Sequence, residues 1–199
     1  MVPPEHDKAQ TALEGIANAG HRTSEVIEGF RDLLGTEHQR RQLVDVNAII
    51  RELLESLSSQ LKDRQVEPRL ELMSELPHVY GNRGPIQEVV SNLVVNAIEA
   101  METTSDRSRV LRVRTELRDR KAVGVVVEDS GPGIDGNKLS DIFTGLVSTK
   151  PHGMGLGLAI SRMIIDYHGG KLTALSDGKD GASFEFVLPI VDQNSARAE

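Results

Sequence analysis

The sequence predicts an α+β fold: a two-layer α/β sandwich, one mixed sheet with helices on one face, preceded by one long bundle helix. Three observations carry this. Apolar residues recur at helical spacing over three segments that are separated by strand-like runs. Those runs alternate with period two and are joined by short polar or Gly-rich turns, as hairpins are. The first thirty-odd residues carry a heptad seam instead.

The seam is Ala9, Leu13, Ile16, Gly20, Thr23, Ile27, Phe30 and Leu34, with a second edge at Ala12, Ala19, Val26 and Leu33. Such a stripe wants a partner helix, as in a bundle, although it could also pack on its own domain. Gly35 supplies a stop, and the charged residues 36–42 read as a linker. Val44 and Val46 alternate with polar residues and suggest a short strand. Asn47 can cap a helix whose apolar face is Ile50, Leu53, Leu54, Leu57 and Leu61. Residues 66–72 form a strand with Pro68 in it, which fits a sheet edge. A helix over 85–101 turns Ile86, Val89, Val90, Leu93, Ala97 and Met101 inward. Residues 110–117 and 122–127 form strands, joined by a turn at 119–121. Residues 130–157 are glycine-rich with little periodicity. A helix at 158–167 ends at Gly169-Gly170, and strands at 171–175 and 183–188 close the pattern. The strands are expected to pair as hairpins rather than as βαβ units. The divisions are therefore 1–36, 43–190 and a disordered tail at 191–199.

Composition narrows the function. The 199 residues carry a net charge of -7 and contain no cysteine or tryptophan. The acidic balance argues against a nucleic-acid surface. Absent cysteine excludes disulfide frameworks, Cys-ligated zinc and thiol catalysis. Aromatics at 3% leave little for stacking single-stranded bases. No apolar run is long enough to span a bilayer and nothing resembles a signal peptide, so a cytoplasmic protein is expected.

Four motifs carry chemistry. Glu88, Asn92 and Asn96 lie in steps of four on one side of a helix whose other side is Val and Leu. Asn is a poor helix former, and its amide oxygen is a suitable ligand for Mg²⁺. Taken alone, the pattern is equally a solvated helix face. Next, an apolar strand ends in Glu128-Asp129-Ser130-Gly131-Pro132-Gly133. A buried aspartate there can accept a hydrogen bond from an exocyclic amine, which adenine offers and guanine does not; alone, the run is also an ordinary turn. Third, residues 141–152 make a long polar stretch with Phe143, Ser148, Thr149 and Lys150. It suits a loop that closes on a ligand, and Lys150 can neutralise phosphate. Last, Gly153-Met154-Gly155-Leu156-Gly157-Leu158 opens a helix. Alternate glycines at a helix N-terminus expose N–H groups to an anion.

Together and in this order, the motifs resemble the Bergerat-type ATPase superfamily of DNA gyrase, MutL-type repair proteins and histidine kinases. Residues 92–97 resemble the histidine-kinase Asn box, 129–133 its first glycine box, and 153–158 its second. Residues 166–171 and 181–184 fit as well. The resemblance implies ATP and Mg²⁺ as cofactors, with Asn96 on the metal and Asn92 near the phosphates or a metal-bound water. It implies Asp129 on adenine, with Gly131, Gly133, Gly153, Gly155 and Gly157 in the turns that contact nucleotide. Met154, Leu156 and Leu158 lie in the same box, and Thr149 and Lys150 close the lid. Gyrase-type members carry a catalytic glutamate where this chain has Asn92. That favours transfer of the γ-phosphoryl to a protein histidine over hydrolysis. The lid departs from the family in having Leu146 and Val147 where further aromatics are usual. Asn82 stands where an aspartate is common.

The resemblance also recasts residues 17–34 as the second helix of a dimerisation and phosphotransfer hairpin. The phosphorylated histidine normally sits on the first helix, followed by an acidic residue and soon by proline. None of His6, His21, His38, His78, His152 or His168 has that context. The expectation is a piece of a larger bacterial sensor kinase, dimeric when full-length and serving a response regulator. It should bind ATP without labelling itself. Two rivals share some features. An anti-sigma-factor-type serine kinase would lack the helical seam. A degenerate dimerisation module would account for the altered lid.

Overall fold

The computed structural model describes residues 41–104, 107–144 and 156–190. The expected bundle helix at 1–36, the tail at 191–199 and most of the lid lie outside the described residues.

A short strand β1 (Gln42–Val44) leads into helix α1 (Val46–Ser56) and a second short helix α2 (Ser58–Asp63). Here two local expectations are corrected. Val46 opens the helix rather than extending the strand, and Asp45, not Asn47, caps it, its carboxylate accepting from the Ala48 N–H at 3.0 Å. Either side chain can cap, and tertiary partners decide between them. Asn47 is buried, donating to the Met73 carbonyl at 2.8 Å and accepting from the Thr115 hydroxyl at 2.9 Å. The single helix expected through Leu61 is broken at Leu57, whose backbone is not helical.

Strand β2 (Val66–Leu72) has the expected limits. Then come β3 (Val79–Gly81), helix α3 (Arg83–Ala100) and a 3₁₀ turn (Met101–Thr103). Strands β4 (Arg109–Arg118) and β5 (Ala122–Asp129) form the expected hairpin, in which Asp119 and Arg120 take positive φ. Helix α4 (Gly157–Tyr167) precedes β6 (Lys171–Leu175) and β7 (Ser183–Pro189). The end of α4 is a Schellman turn: Gly170 N–H bonds the Ile165 carbonyl and Gly169 N–H bonds that of Asp166, both at 2.9 Å, with Gly169 at φ 72°.

The large sheet has the order β2-β4-β5-β7-β6, and β1 and β3 form a separate two-stranded piece. The hairpin expectation holds for β4–β5 and β6–β7. It fails for β2, which pairs with β4 in parallel across a crossover that contains α3. Period-two patterning identifies a strand but not the direction of its neighbour. Pro68 does lie on an edge strand.

One sheet face is apolar: Leu111, Val113, Val123, Val125, Val127, Phe184, Phe186 and Leu188 pack in one core with Ile49, Ile50, Ile86, Val89, Leu93, Ile164 and Ile165 from the helices. The alternate residues on the other face carry charge. Arg112 bridges Glu71 and Glu128, and Arg118 bridges Glu116 and Glu185. This is the expected two-layer arrangement, with α3 and α4 lying on the apolar face.

Candidate nucleotide site

Helix α3 is the spine of the site. Its residues at i and i+4 share a face, and Asn92 and Asn96 use that spacing: the Asn96 amide donates from Nδ2 to Asn92 Oδ1 at 3.1 Å. Helix α4 presents a matching pair, Gly157 and Ser161. Asn92 Nδ2 donates to Ser161 Oγ at 2.9 Å, and Ser161 is only 2% exposed.

Gly157, the first residue of α4, faces Asn92 so closely that a Cβ there would lie 2.4 Å from Asn92 Oδ1. The start of the helix that follows the glycine run is thus pressed against Asn92, which in turn bonds Asn96. The obstruction is the end of a side chain, not backbone. Gly157→Ala is therefore expected to leave Tm within a few degrees of native, and to weaken Mg-ATP binding about tenfold by turning Asn92 aside. Thermal melts paired with calorimetric titration check this. Native-like affinity would show that the Asn92–Gly157 approach does not matter for ligand.

The far end of α3 meets the other half of the site. Ala100 lies eight residues beyond Asn92, about 12 Å along the axis. A Cβ on Gly131 would stand 3.3 Å from the Ala100 carbonyl oxygen and 2.7 Å from Asp129 Oδ1. Asp129 ends β5 at 9% exposure, and its Oδ1 accepts from the Gly131 N–H at 2.8 Å. Burial raises its carboxyl above the usual aspartate value, against the pull of the Gly131 and Ala182 backbone amides. Ser130 ties this turn to the start of β4, accepting from Val110 N–H and donating to the Ser108 carbonyl. Gly133, at φ 81°, rests on the Gly178–Lys179 backbone.

Asn92, Asn96, Asp129, Gly131, Gly133, Leu156, Gly157 and Leu158 are all placed along or beside α3 and the adjoining ends of β5 and α4. Thr149, Lys150, Gly153, Met154 and Gly155 lie outside the described residues. Glu88 lines a shallow groove beside Asn92 with Gly84, Gln87, Ser91 and Val95. Phe143, the retained lid aromatic, packs against the core with the Arg162 guanidinium 5.7 Å from its ring centre. Sequence reasoning places Ser161 in the run Ala159-Ile160-Ser161 that follows the second glycine box but assigns it no role.

Comparison with known proteins decides the family. The family model of "Histidine kinase-, DNA gyrase B-, and HSP90-like ATPase" matches residues 81–192, which include α3, the Asp129 turn and α4. The chain belongs to this ATPase family. Sensor protein FixL of Bradyrhizobium diazoefficiens is 32% identical over 191 residues, covering 96% of this chain and 37% of FixL. The catalytic domain of histidine kinase ThkA superposes with a TM-score of 0.66 at 32% identity, covering 75% of this chain and 95% of that domain. ThkA in complex with response regulator protein TrrA gives a TM-score of 0.65 at 26% identity, over 96% of this chain and 53% of that one. This ATPase-family chain is homologous to the ATP-binding catalytic modules of sensor histidine kinases. It spans well under half the length of FixL. Among the described residues no helix is long and apolar enough to cross a membrane.

Proposed function

We propose that residues 43–190 are the catalytic module of a cytoplasmic-facing sensor histidine kinase, which transfers the γ-phosphoryl of ATP to a histidine on a partner helix. The observation that supports this most is the α3/α4 pair, which presses the Asn92 amide, bonded to Asn96, against the start of the glycine-led helix while buried Asp129 lies by the far end of α3. On this reading Asp129 accepts from the adenine amine, and the Gly131 and Gly133 turns let backbone approach the base. The N-terminus of α4 at Leu156, Gly157 and Leu158, with Gly153, Met154 and Gly155 before it, holds phosphate oxygens. Thr149 and Lys150 close over them.

The metal assignment is tested by the donors present. Among the described residues no group of three or more His, Cys, Asp or Glu could cage an ion. The amide oxygen of Asn96, one turn from the Asn92 that meets α4, is a donor of the kind Mg²⁺ takes, since the ion prefers oxygen, keeps water and takes substrate phosphates as ligands. Bound there, the ion would neutralise charge on the transferring group. Asn92 stands beside Asn96, and its carboxamide cannot take a proton from water. This favours an imidazole nucleophile supplied by another helix over hydrolysis. The predicted hairpin helix at 1–36 gives such a partner a place to dock, in a full-length homodimer that passes the phosphoryl group to a response regulator.

Calorimetric titration of the chain with Mg-ATP and Mg-GTP is the first test, followed by phosphotransfer to an added histidine-bearing hairpin. The expected outcome is saturable ATP binding that GTP does not match, no self-labelling, and labelling of the added hairpin. A folded chain that binds no ATP would leave the degenerate dimerisation module as the better account.

A further inference from the structure

We propose that Ser176 is a positioning residue for base recognition: its hydroxyl fixes the far end of the turn that Asp129 begins, and the preference for adenine depends on that fixing. The inference rests on the reading that Asp129 accepts from the adenine amine.

The near end of the turn at 129–134 is held by sheet backbone. Asp129 N–H bonds the Ala182 carbonyl at 3.0 Å. Gly181 passes directly beneath the Asp129 carbonyl oxygen, where a Cβ would collide with it. The far end lies outside any strand. There the Ile134 N–H donates to Ser176 Oγ at 2.8 Å. Ser176 follows β6 directly and opens the β6–β7 turn. Its hydroxyl also accepts from the Gly178 N–H at 3.2 Å and donates to the Gly181 carbonyl at 2.6 Å.

Every partner of this hydroxyl is backbone, so the roles are fixed. An N–H can only donate and a carbonyl can only accept. The two N–H groups take the lone pairs of the oxygen, and its single hydrogen goes to Gly181. Ser176 therefore ties Ile134 to the same Gly181 that supports the Asp129 carbonyl. One loop, 176–181, clamps the Asp129 turn at both ends.

The parts that face the base lie between the clamps. Gly131 N–H holds Asp129 Oδ1 at 2.8 Å. Gly133, at φ 81°, runs against the Gly178–Lys179 backbone, and a Cβ on it would stand 3.0 Å from Ser176 Oγ. Loss of the hydroxyl would free Ile134 and let residues 131–133 drift from the Asp129 carboxylate. The β6–β7 turn would keep its own closure, because Asp177 Oδ1 accepts from the Lys179 and Asp180 N–H groups at 2.8 and 2.9 Å.

The test uses the full 199-residue chain. Ser176→Ala is expected to raise the Kd for Mg-ATP about fivefold, the value of one net hydrogen bond. The preference for ATP over GTP should narrow by a similar factor, and Tm should stay within a few degrees of native. Amide exchange read by NMR without ligand should quicken about fivefold or more at Ile134 and its neighbours in 131–135, with the interior of α3 unchanged. Ser176→Cys separates positioning from packing. Sulfur fills the space but is a weak hydrogen-bonding group, so this variant should resemble alanine. Native ATP affinity in either variant would overturn the inference and leave the nucleotide reading standing. Equal weakening of ATP and GTP would overturn it too, by showing that Ser176 only supports the fold. So would an unchanged exchange rate at Ile134. Failure of the native chain to bind ATP at all would remove the proposed function itself, and this inference with it.

Discussion

Asp129→Asn is expected to weaken ATP binding about a hundredfold while leaving the ligand-free fold as stable as before, or slightly more so. The carboxylate has two acceptor oxygens; in this structure Oδ1 is engaged by the Gly131 N–H, and the Ala182 backbone amide also favours the charged form. An amide keeps one oxygen and gains a donor. If its oxygen serves Gly131, its nitrogen faces the adenine amine, donor against donor. If it turns to serve adenine, the buried Gly131 N–H is orphaned. Either arrangement forfeits a charge-assisted hydrogen bond and exposes a mismatch, together worth about 2–3 kcal/mol and hence roughly a hundredfold in Kd. The ligand-free molecule responds in the opposite sense. Burial raises the Asp129 carboxyl above its ordinary value of 3.8. A raised acid contributes stability that is complete below the unfolded value and is lost as pH rises through the folded one. At neutral pH that loss is already in force, and the neutral amide relieves it. Calorimetry with ATP and GTP, beside thermal melts without ligand, reads both halves. Binding within threefold of native would remove Asp129 from the adenine contact. A large drop in Tm would show the carboxylate to be structural instead.

That opposition between stability and binding explains why the site is partly legible in the sequence. Asn92 and Asn96 on an otherwise Val- and Leu-rich helix, and a charged residue at the end of a run as apolar as 123–127, contradict what the local structure would choose for itself. Close approach has the same effect on glycine. Gly181, at φ 93°, has the Asp129 carbonyl oxygen where a Cβ would stand, and no other residue fits there. Strand limits were legible for β2 because alternation is strict between Val66 and Leu72. What stayed hidden depends on partners distant in the chain. The parallel pairing of β2 with β4 leaves no mark on either strand. Asp45 and Asn47 are equivalent as caps until Met73 and Thr115 claim Asn47. Ser161 and His168 fall in runs that fit the family, but their contacts show only once α3 is packed beside them.

His168 illustrates this last class, and its replacement is expected to give the largest loss of stability of the substitutions considered. The side chain is 6% exposed and bridges the two helices of the site at the end opposite Ser161. Nε2 accepts from the Asn82 N–H, at the cap of α3, at 3.0 Å, and Nδ1 lies 2.7 Å from the Ile164 carbonyl in α4. These two partners define the neutral tautomer with hydrogen on Nδ1. The ring also fills the space over Gly81, where a Cβ would come within 2.7 Å of it. Removing the imidazole opens a cavity and orphans a buried N–H at a helix start, so His168→Ala should cost about 2–4 kcal/mol. Protonation attacks the same bond, because a hydrogen on Nε2 would point at the Asn82 N–H. Burial accordingly lowers the His168 pKa, helped by the Arg41 charge and opposed by the Ile164 carbonyl. Tyr167 meets the ring edge-on at 5.4 Å, and the Arg41 guanidinium lies 4.9 Å from the centre of the Tyr167 ring. For a base held below its ordinary value of 6.5, the unfolded chain takes up the proton first. Stability is then complete above that value and falls as pH drops from it toward the lower folded one. Denaturant melts from pH 8 to pH 5 on the native chain, His168→Ala and His168→Gln measure this directly. Glutamine can offer its Oε1 to Asn82 without titrating, so it should recover part of the loss at neutral pH and remove the fall below about 6.5. A glutamine variant that loses stability toward acid as steeply as the native chain would place the titrating group elsewhere, on the carboxylates. A native-like alanine variant would mean that the His168 bridge adds little to the apolar contacts and the Asn92–Ser161 bond that also join α3 and α4.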